Sequence, residues 1–198
     1  MMLAPFRAVV RPSAIVVLSA ALMGAAGCGP SVWRPPAESF RAYPARPQKI
    51  DLRVALKLTP ELRASKWEKK DCCVMEVGPS LAGNAEELAR HVFREVVVVE
   101  GDTATEGADA TLTPRLVYIG RTVGACGPCD SIIAMKVEWR LVRADGRLVW
   151  VDTIGGQAIG STGGSAEKPL KAAVEDLFLK SERAMTESRA ILYAASKR

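Results

Sequence analysis

The sequence predicts an α+β two-layer sandwich, a mainly antiparallel sheet with two helices packed on one face. Three observations carry this. Residues 50–58 place an apolar side chain at every second position, the period of a strand with one buried face. Residues 79–95 and 166–195 change to a helical period, with apolar residues gathered in one stripe. Between those two helices lie several strand-like runs joined by short turns, an order that favours antiparallel neighbours with the helices on one side.

Taken in order, Ile50, Leu52, Val54, Leu56 and Leu58 mark the first strand, and residues 59–78 contain Trp67 and a short second strand at Cys72-Cys73-Val74-Met75. Leu81, Ala85, Leu88, Ala89 and Val92 form the stripe of the first helix. Residues 96–100 and 111–120 read as strands, the latter placed at an edge or a strand start by Pro114. Ile133, Met135, Val137, Trp139 and Leu141 alternate with polar or small residues, and Asp145-Gly146 is a hairpin turn signal that sends residues 147–154 back. A two-residue turn pairs Leu141 with Trp150 and sets Asp152 on the core face opposite Trp139, so a bulge or another turn length is expected. Gly155, Gly156, Gly160, Gly163 and Gly164 read as a flexible loop. One long helix then closes the chain, with Leu170, Val174, Leu177, Phe178, Met185 and Leu192 on its stripe.

The first 28 residues set the address. Arg7 and Arg11 begin a short apolar run, residues 15–23, and small residues lead into Cys28, the layout of an export signal. Gly24, Gly27, Gly29 and Pro30 interrupt the run before it reaches the roughly 20 apolar residues of a spanning helix. The end, Gly24-Ala25-Ala26-Gly27-Cys28, resembles the lipobox of bacterial lipoproteins, with Ala25 where Leu is more usual. That resemblance implies removal of residues 1–27 and acylation of Cys28 with diacylglycerol and a fatty acid such as palmitate. Each buried methylene contributes about 0.8 kcal/mol, so several chains hold a protein on a membrane where one does not. In such lipoproteins an Asp after the cysteine retains some at the inner membrane; Gly29 in that place favours the periplasmic face of the outer membrane.

The expected organisation is a signal peptide (1–27), a lipidated, Pro-rich tether (28–48) and a single α+β domain (49–198). Pro30, Pro35, Pro36, Pro44 and Pro47 favour an extended spacer, able to reach up to ~60 Å at about 3.1 Å per residue. Trp33 and Phe40 are expected to be loosely packed within it. Two of the 27 basic and none of the 22 acidic residues lie in the signal, leaving +3 on the mature part. That charge argues against a nucleic-acid partner and permits contact with an anionic membrane surface.

Four thiols remain beside Cys28. Cys126-Gly127-Pro128-Cys129 has the four letters of the thioredoxin dithiol, but in thioredoxin-like proteins the first cysteine follows a Trp and opens a helix, which lowers its pKa. Here Ala125 precedes it and both flanks read as strands. In an oxidising compartment the expectation is disulfides, either Cys126 with Cys129 or this loop with Cys72 or Cys73. A four-cysteine metal site is the alternative. His91, the one histidine, reads as a solvated flank residue. Gly155 to Thr162 lacks the lysine of a phosphate loop, and Glu86 and Glu87 read as a solvated helix face. The element order together with the lipobox resembles the small two-layer folds of envelope lipoproteins of the YajG-like and transporter-auxiliary groups. That resemblance implies an accessory role with no catalytic residue and no cofactor. The expected function is therefore a binding or assembly accessory of an envelope complex, with an envelope protein as partner. The alternative is a thiol protein, oxidoreductase or metal-binding, built on Cys126 and Cys129.

Overall fold

The computed structural model describes residues 31–35, 48–69, 73–100, 107–123, 130–161 and 167–197. The strands are β1 (Ser31–Trp33), β2 (Ile50–Leu58), β3 (Lys66–Lys69), β4 (Cys73–Glu76), β5 (Phe93–Glu100), β6 (Ala110–Val123), β7 (Asp130–Arg143) and β8 (Leu148–Ser161). The helices are α1 (Pro60–Arg63), α2 (Gly78–Val92), α3 (Glu167–Glu187) and α4 (Arg189–Ser196). The α+β sandwich holds, with the helices on one face of a five-stranded sheet ordered β5-β2-β6-β7-β8 and a smaller sheet ordered β1-β4-β3.

The main sheet is mainly antiparallel, as expected, with a parallel part around β2. β2 is parallel to both β5 and β6, while β6, β7 and β8 form antiparallel hairpins. The cause is connectivity. A strand that returns to its sheet through a helix comes back parallel, and α2 lies between β2 and β5. Val96 to Val99 in β5 is apolar at successive positions, a pattern without the alternation of a half-wet antiparallel strand.

Alternation in β2 and β7 buries Leu52, Val54, Leu56 and Leu58, and Ile133, Met135, Val137, Trp139 and Leu141, against one core shared with α2 and α3. Trp139 is its largest fully buried side chain. Its ring meets Phe178 edge-on at 6.0 Å, and its indole N–H donates to Ser181 Oγ at 3.0 Å. Ser181 in turn donates to the Leu177 carbonyl at 2.9 Å. Burial of an indole is favourable only when its N–H finds a partner, and this two-step chain supplies one.

Residues 155–161 are strand, not flexible loop. Gly156 and Gly160 face α3 so closely that a Cβ on Gly156 would lie 2.4 Å from the Ala173 carbonyl oxygen, and one on Gly160 would lie 2.6 Å from Pro169 Cγ. The glycines are there to let the helix approach.

The long C-terminal helix is two helices. Ser188 leaves the helical conformation (φ −69°, ψ 112°), and its side chain caps α4 by accepting from the Ile191 N–H at 3.4 Å. The break changes the phase of the stripe. Leu170, Val174, Leu177, Phe178 and Met185 are buried as expected, but Ile191 is buried in place of Leu192, which is 46% exposed.

The β7–β8 turn combines both expected departures. Gly146 has φ +82° and donates to the Arg143 carbonyl, and Arg143 and Arg147 close a three-residue loop. A bulge between Leu141 and Val142 then restores the pairs Leu141–Trp150 and Trp139–Asp152. Asp152 does stand opposite Trp139. It is tolerated because β8 is an edge strand, where Asp152 is exposed and accepts the Thr153 N–H at 2.8 Å.

Finally, part of the expected tether is folded. β1 pairs in parallel with β4, Ser31 beside Cys73 and Trp33 beside Met75. Trp33 packs on the core, with the Arg121 guanidinium 5.1 Å from its ring centre. Arg34 forms an ion pair with Glu76.

Candidate functional site

A concavity lies at the β7–β8 turn, where α4 crosses the end of the sheet. Ser188 places α4 there by ending α3 and redirecting the chain. Buried Ile191 and Ala194 face the sheet, while Tyr193 is 65% exposed. The concavity comprises two adjacent hollows that share Arg143, Val149 and Ala194 in their lining. The inner part, about 260 Å³, is floored by Leu52, Leu141, Val149 and Ala194. The outer part, about 510 Å³, is rimmed by Arg143, Arg147, Tyr193 and Lys197.

Backbone hydrogen bonds fix the wall. Asp109 accepts the Arg53 N–H on Oδ2 at 2.7 Å, returns its own N–H to the Arg53 carbonyl at 2.8 Å, and accepts the Ala144 N–H at 3.1 Å. It pins β2 to the hairpin turn. Asp145 Oδ1 accepts the Arg147 N–H at 2.9 Å and so shapes the turn.

The rim is cationic. Asp145 Oδ2 forms long ion pairs with Arg143 Nε at 3.9 Å and an Arg147 terminal nitrogen at 4.0 Å, weak contacts at an exposed site. Lys197 Nζ is 5.6 Å from the Tyr193 ring centre. Three cations, Arg143, Arg147 and Lys197, and two carboxylates, Asp109 and Asp145, therefore line the hollows around an apolar floor, with Asp109 engaged by the Arg53 N–H. No histidine, cysteine, serine or threonine is among the described residues lining either part. The arrangement suits recognition of an acidic group attached to apolar surface, through charge at the rim and burial on the floor.

The sequence-derived candidates lie elsewhere. Cys28, Cys72, Cys126 and Cys129 fall outside the described residues. Cys73 is buried in β4 at 1% exposure, paired in register with Ser31 and Lys69. The Cys126–Cys129 segment is bracketed by β6 and β7, whose last described pair is Val123–Ser131; β7 begins directly after Cys129. Strands flank the dithiol on both sides, unlike the strand-to-helix setting of thioredoxins. Among the described residues no group of three or more His, Cys, Asp or Glu side chains forms a metal site.

His91 differs from its expected solvated position. Its side chain is 10% exposed, and Nε2 lies 3.3 Å from Glu182 Oε1, linking α2 to α3. Glu86 is paired with Arg90 on the helix surface at 2.9 Å. Sequence reasoning missed the groove because its parts come from four separate stretches; the Asp145-Gly146 turn signal alone marked its location.

No family model matches the chain, and no curated protein matches it. Solved structures do. A Xanthomonas campestris protein of family DUF330 superimposes with a TM-score of 0.52 at 10% identity, over 84% of this chain and 97% of that one. A minor lipoprotein from Acinetobacter baumannii gives 0.43 at 10% identity, covering 68% and 93%. A Caulobacter crescentus protein described as a lipoprotein gives 0.40 at 14% identity, covering 73% and 92%. The first of these likenesses shows a shared fold.

Proposed function

We propose that this chain is a lipid-anchored accessory of the bacterial envelope, held through acylated Cys28 at the periplasmic face of the outer membrane, which docks an acidic segment of an envelope protein. The carrying observation is the apolar groove rimmed by Arg143, Arg147 and Lys197 with Tyr193 beside it. The lipobox-like end at Cys28 supports the anchor. Among the described residues no helix is long and apolar enough to cross a membrane.

Rim charges act mainly on association rate and salt dependence. The partner that co-purifies from detergent-solubilised membranes is therefore expected to dissociate as salt rises and to be lost from an Arg143→Glu/Arg147→Glu variant. A Cys126→Ser/Cys129→Ser variant is expected to retain it. The reverse pattern, retention by the charge variant and loss from the cysteine variant, contradicts the groove reading and favours the thiol one. Labelled fatty acid is expected in the wild type and not in Cys28→Ala.

A further inference from the structure

We propose that the end of the main sheet carrying Ile132 and Ile159 rests on the bilayer surface, so that the sheet itself, rather than a flexible tether, sets the height of the groove. This rests on the reading of Cys28 as the lipidated residue.

The first observation is where the chain enters the fold. Only Gly29 and Pro30 separate Cys28 from β1. Three residue steps span at most about 11 Å, so acyl chains on Cys28 draw Ser31 to the headgroups. A 20-residue spacer is not available to lift the domain away.

The second is which end of the molecule that is. Arg121 lies over Trp33 and pairs in register with Ile133, so β1 sits beside the far ends of β6 and β7. Its direction follows from β4, to which it is parallel. The residue after β4, Val77, donates to the Ser65 carbonyl, and Ser65 lines a cleft with Thr113, Pro114, Arg115 and Leu116, midway along β6. β4 therefore runs from the sheet end toward the middle, and so does β1. The Ser31 end points the same way as the β6–β7 hairpin.

The third is what that end exposes. Ile132 and Ile159 are cross-strand partners on the face the helices leave uncovered, 40% and 67% exposed, and Val32 of β1 is 45% exposed. On that face Thr122 completes the row, and the next row is Gly120, Ala134 and Gln157. Outward of the isoleucines the register sets Asp130 beside Ser161, and inward the first charge is the cation Lys136, paired with half-exposed Tyr118. An exposed apolar row with an aromatic and a lysine set back from it is a surface a bilayer interface accepts. With the anchor three residues from β1, at the same end of the sheet as this patch, a bilayer is its nearest occupant.

The orientation fixes the rest. Eleven residues of β7 separate Ile132 from Arg143, about 36 Å at strand rise. The groove is thereby presented far from the membrane, with no spacer required.

The test uses the full, natively processed protein in vesicles of phosphatidylethanolamine and phosphatidylglycerol with brominated acyl chains, and mass spectrometry of the N-terminal peptide. Tryptophan introduced by Ile159→Trp is expected to lose most of its added emission in brominated vesicles. Tryptophan introduced by Leu148→Trp, also exposed but at the opposite end, is expected to keep it. An acylated Cys28 with both probes unquenched overturns the orientation while leaving the anchor intact. An unmodified Cys28 overturns the anchor and the orientation together. Concentration-dependent dimers linked through position 159, without quenching, assign the patch to a second copy and likewise overturn it.

Discussion

The two ends of the β7–β8 ribbon meet the helix layer in opposite ways. At one end α3 lies against Gly156 and Gly160 with no room for a methyl group. At the other end α4 stands off from Val149 and Leu141 and leaves a cavity of about 260 Å³ beneath Ala194. The same two strands serve both, so the difference comes from side-chain size on β8 and from the Ser188 break that gives α4 its own direction. Close packing locks the sheet to the helices where the ribbon nears β1. Loose packing leaves a recess where the rim carries Arg143, Arg147 and Lys197.

The strongest way to break this contrast is to add bulk at each end. Gly156→Leu is expected to lower stability by about 3 kcal/mol, since the new side chain meets helix backbone that cannot yield. Ala194→Leu grows into the cavity and is expected to change stability by less than about 1 kcal/mol, while weakening partner retention. Denaturant titration of both variants checks this; equal losses would show that the groove end is as tightly packed as the other.

A smaller effect is expected between the two ends, where Trp139 is buried. Ser181→Ala leaves the indole N–H without its acceptor and is expected to cost about 2 kcal/mol, read from the shift in unfolding midpoint. Cysteine, whose sulfur accepts only weakly, should recover little of it.

The smallest effect concerns the attachment of β1. The hydrogen bond from Arg34 holds the Glu76 carboxyl below its ordinary range. A carboxyl lowered on folding contributes stability that is complete above its unfolded value and is lost as pH falls through the folded one. The protection factor of the Trp33 amide, its exchange rate corrected for the intrinsic pH dependence, should therefore fall on acidification below the ordinary carboxylate range, and Glu76→Gln should remove that pH dependence. Both residues are well exposed, so solvent screening keeps the effect slight.

How far the sequence could be read follows from the same physics. β2 and α2 were legible because each buries one face, and burial leaves a period: Leu52 to Leu58 at every second residue, Leu81 to Val92 in a helical stripe. Glycine leaves no such trace. Gly155 to Gly160 read as a loop because nothing local says that α3 will pack on it. Ser188 was hidden for a related reason, since Met185 and Leu192 are seven residues apart and fit an unbroken stripe. β1 was masked by its prolines, and the parallel pairing of β5 depends on a connection rather than on its own residues. The groove was least legible, because Leu52, Asp109, Arg143 and Ala194 meet only in three dimensions.

The proposed division of the molecule into a membrane end and a partner end is tested most directly by photo-crosslinking in native envelope membranes. A benzophenone side chain at Tyr193 is expected to give a discrete protein adduct that disappears in the Arg143→Glu/Arg147→Glu background, and one at Ile159 is expected to give lipid adducts. Lipid adducts at position 193 and protein adducts at 159, or indistinguishable products at both, would contradict it.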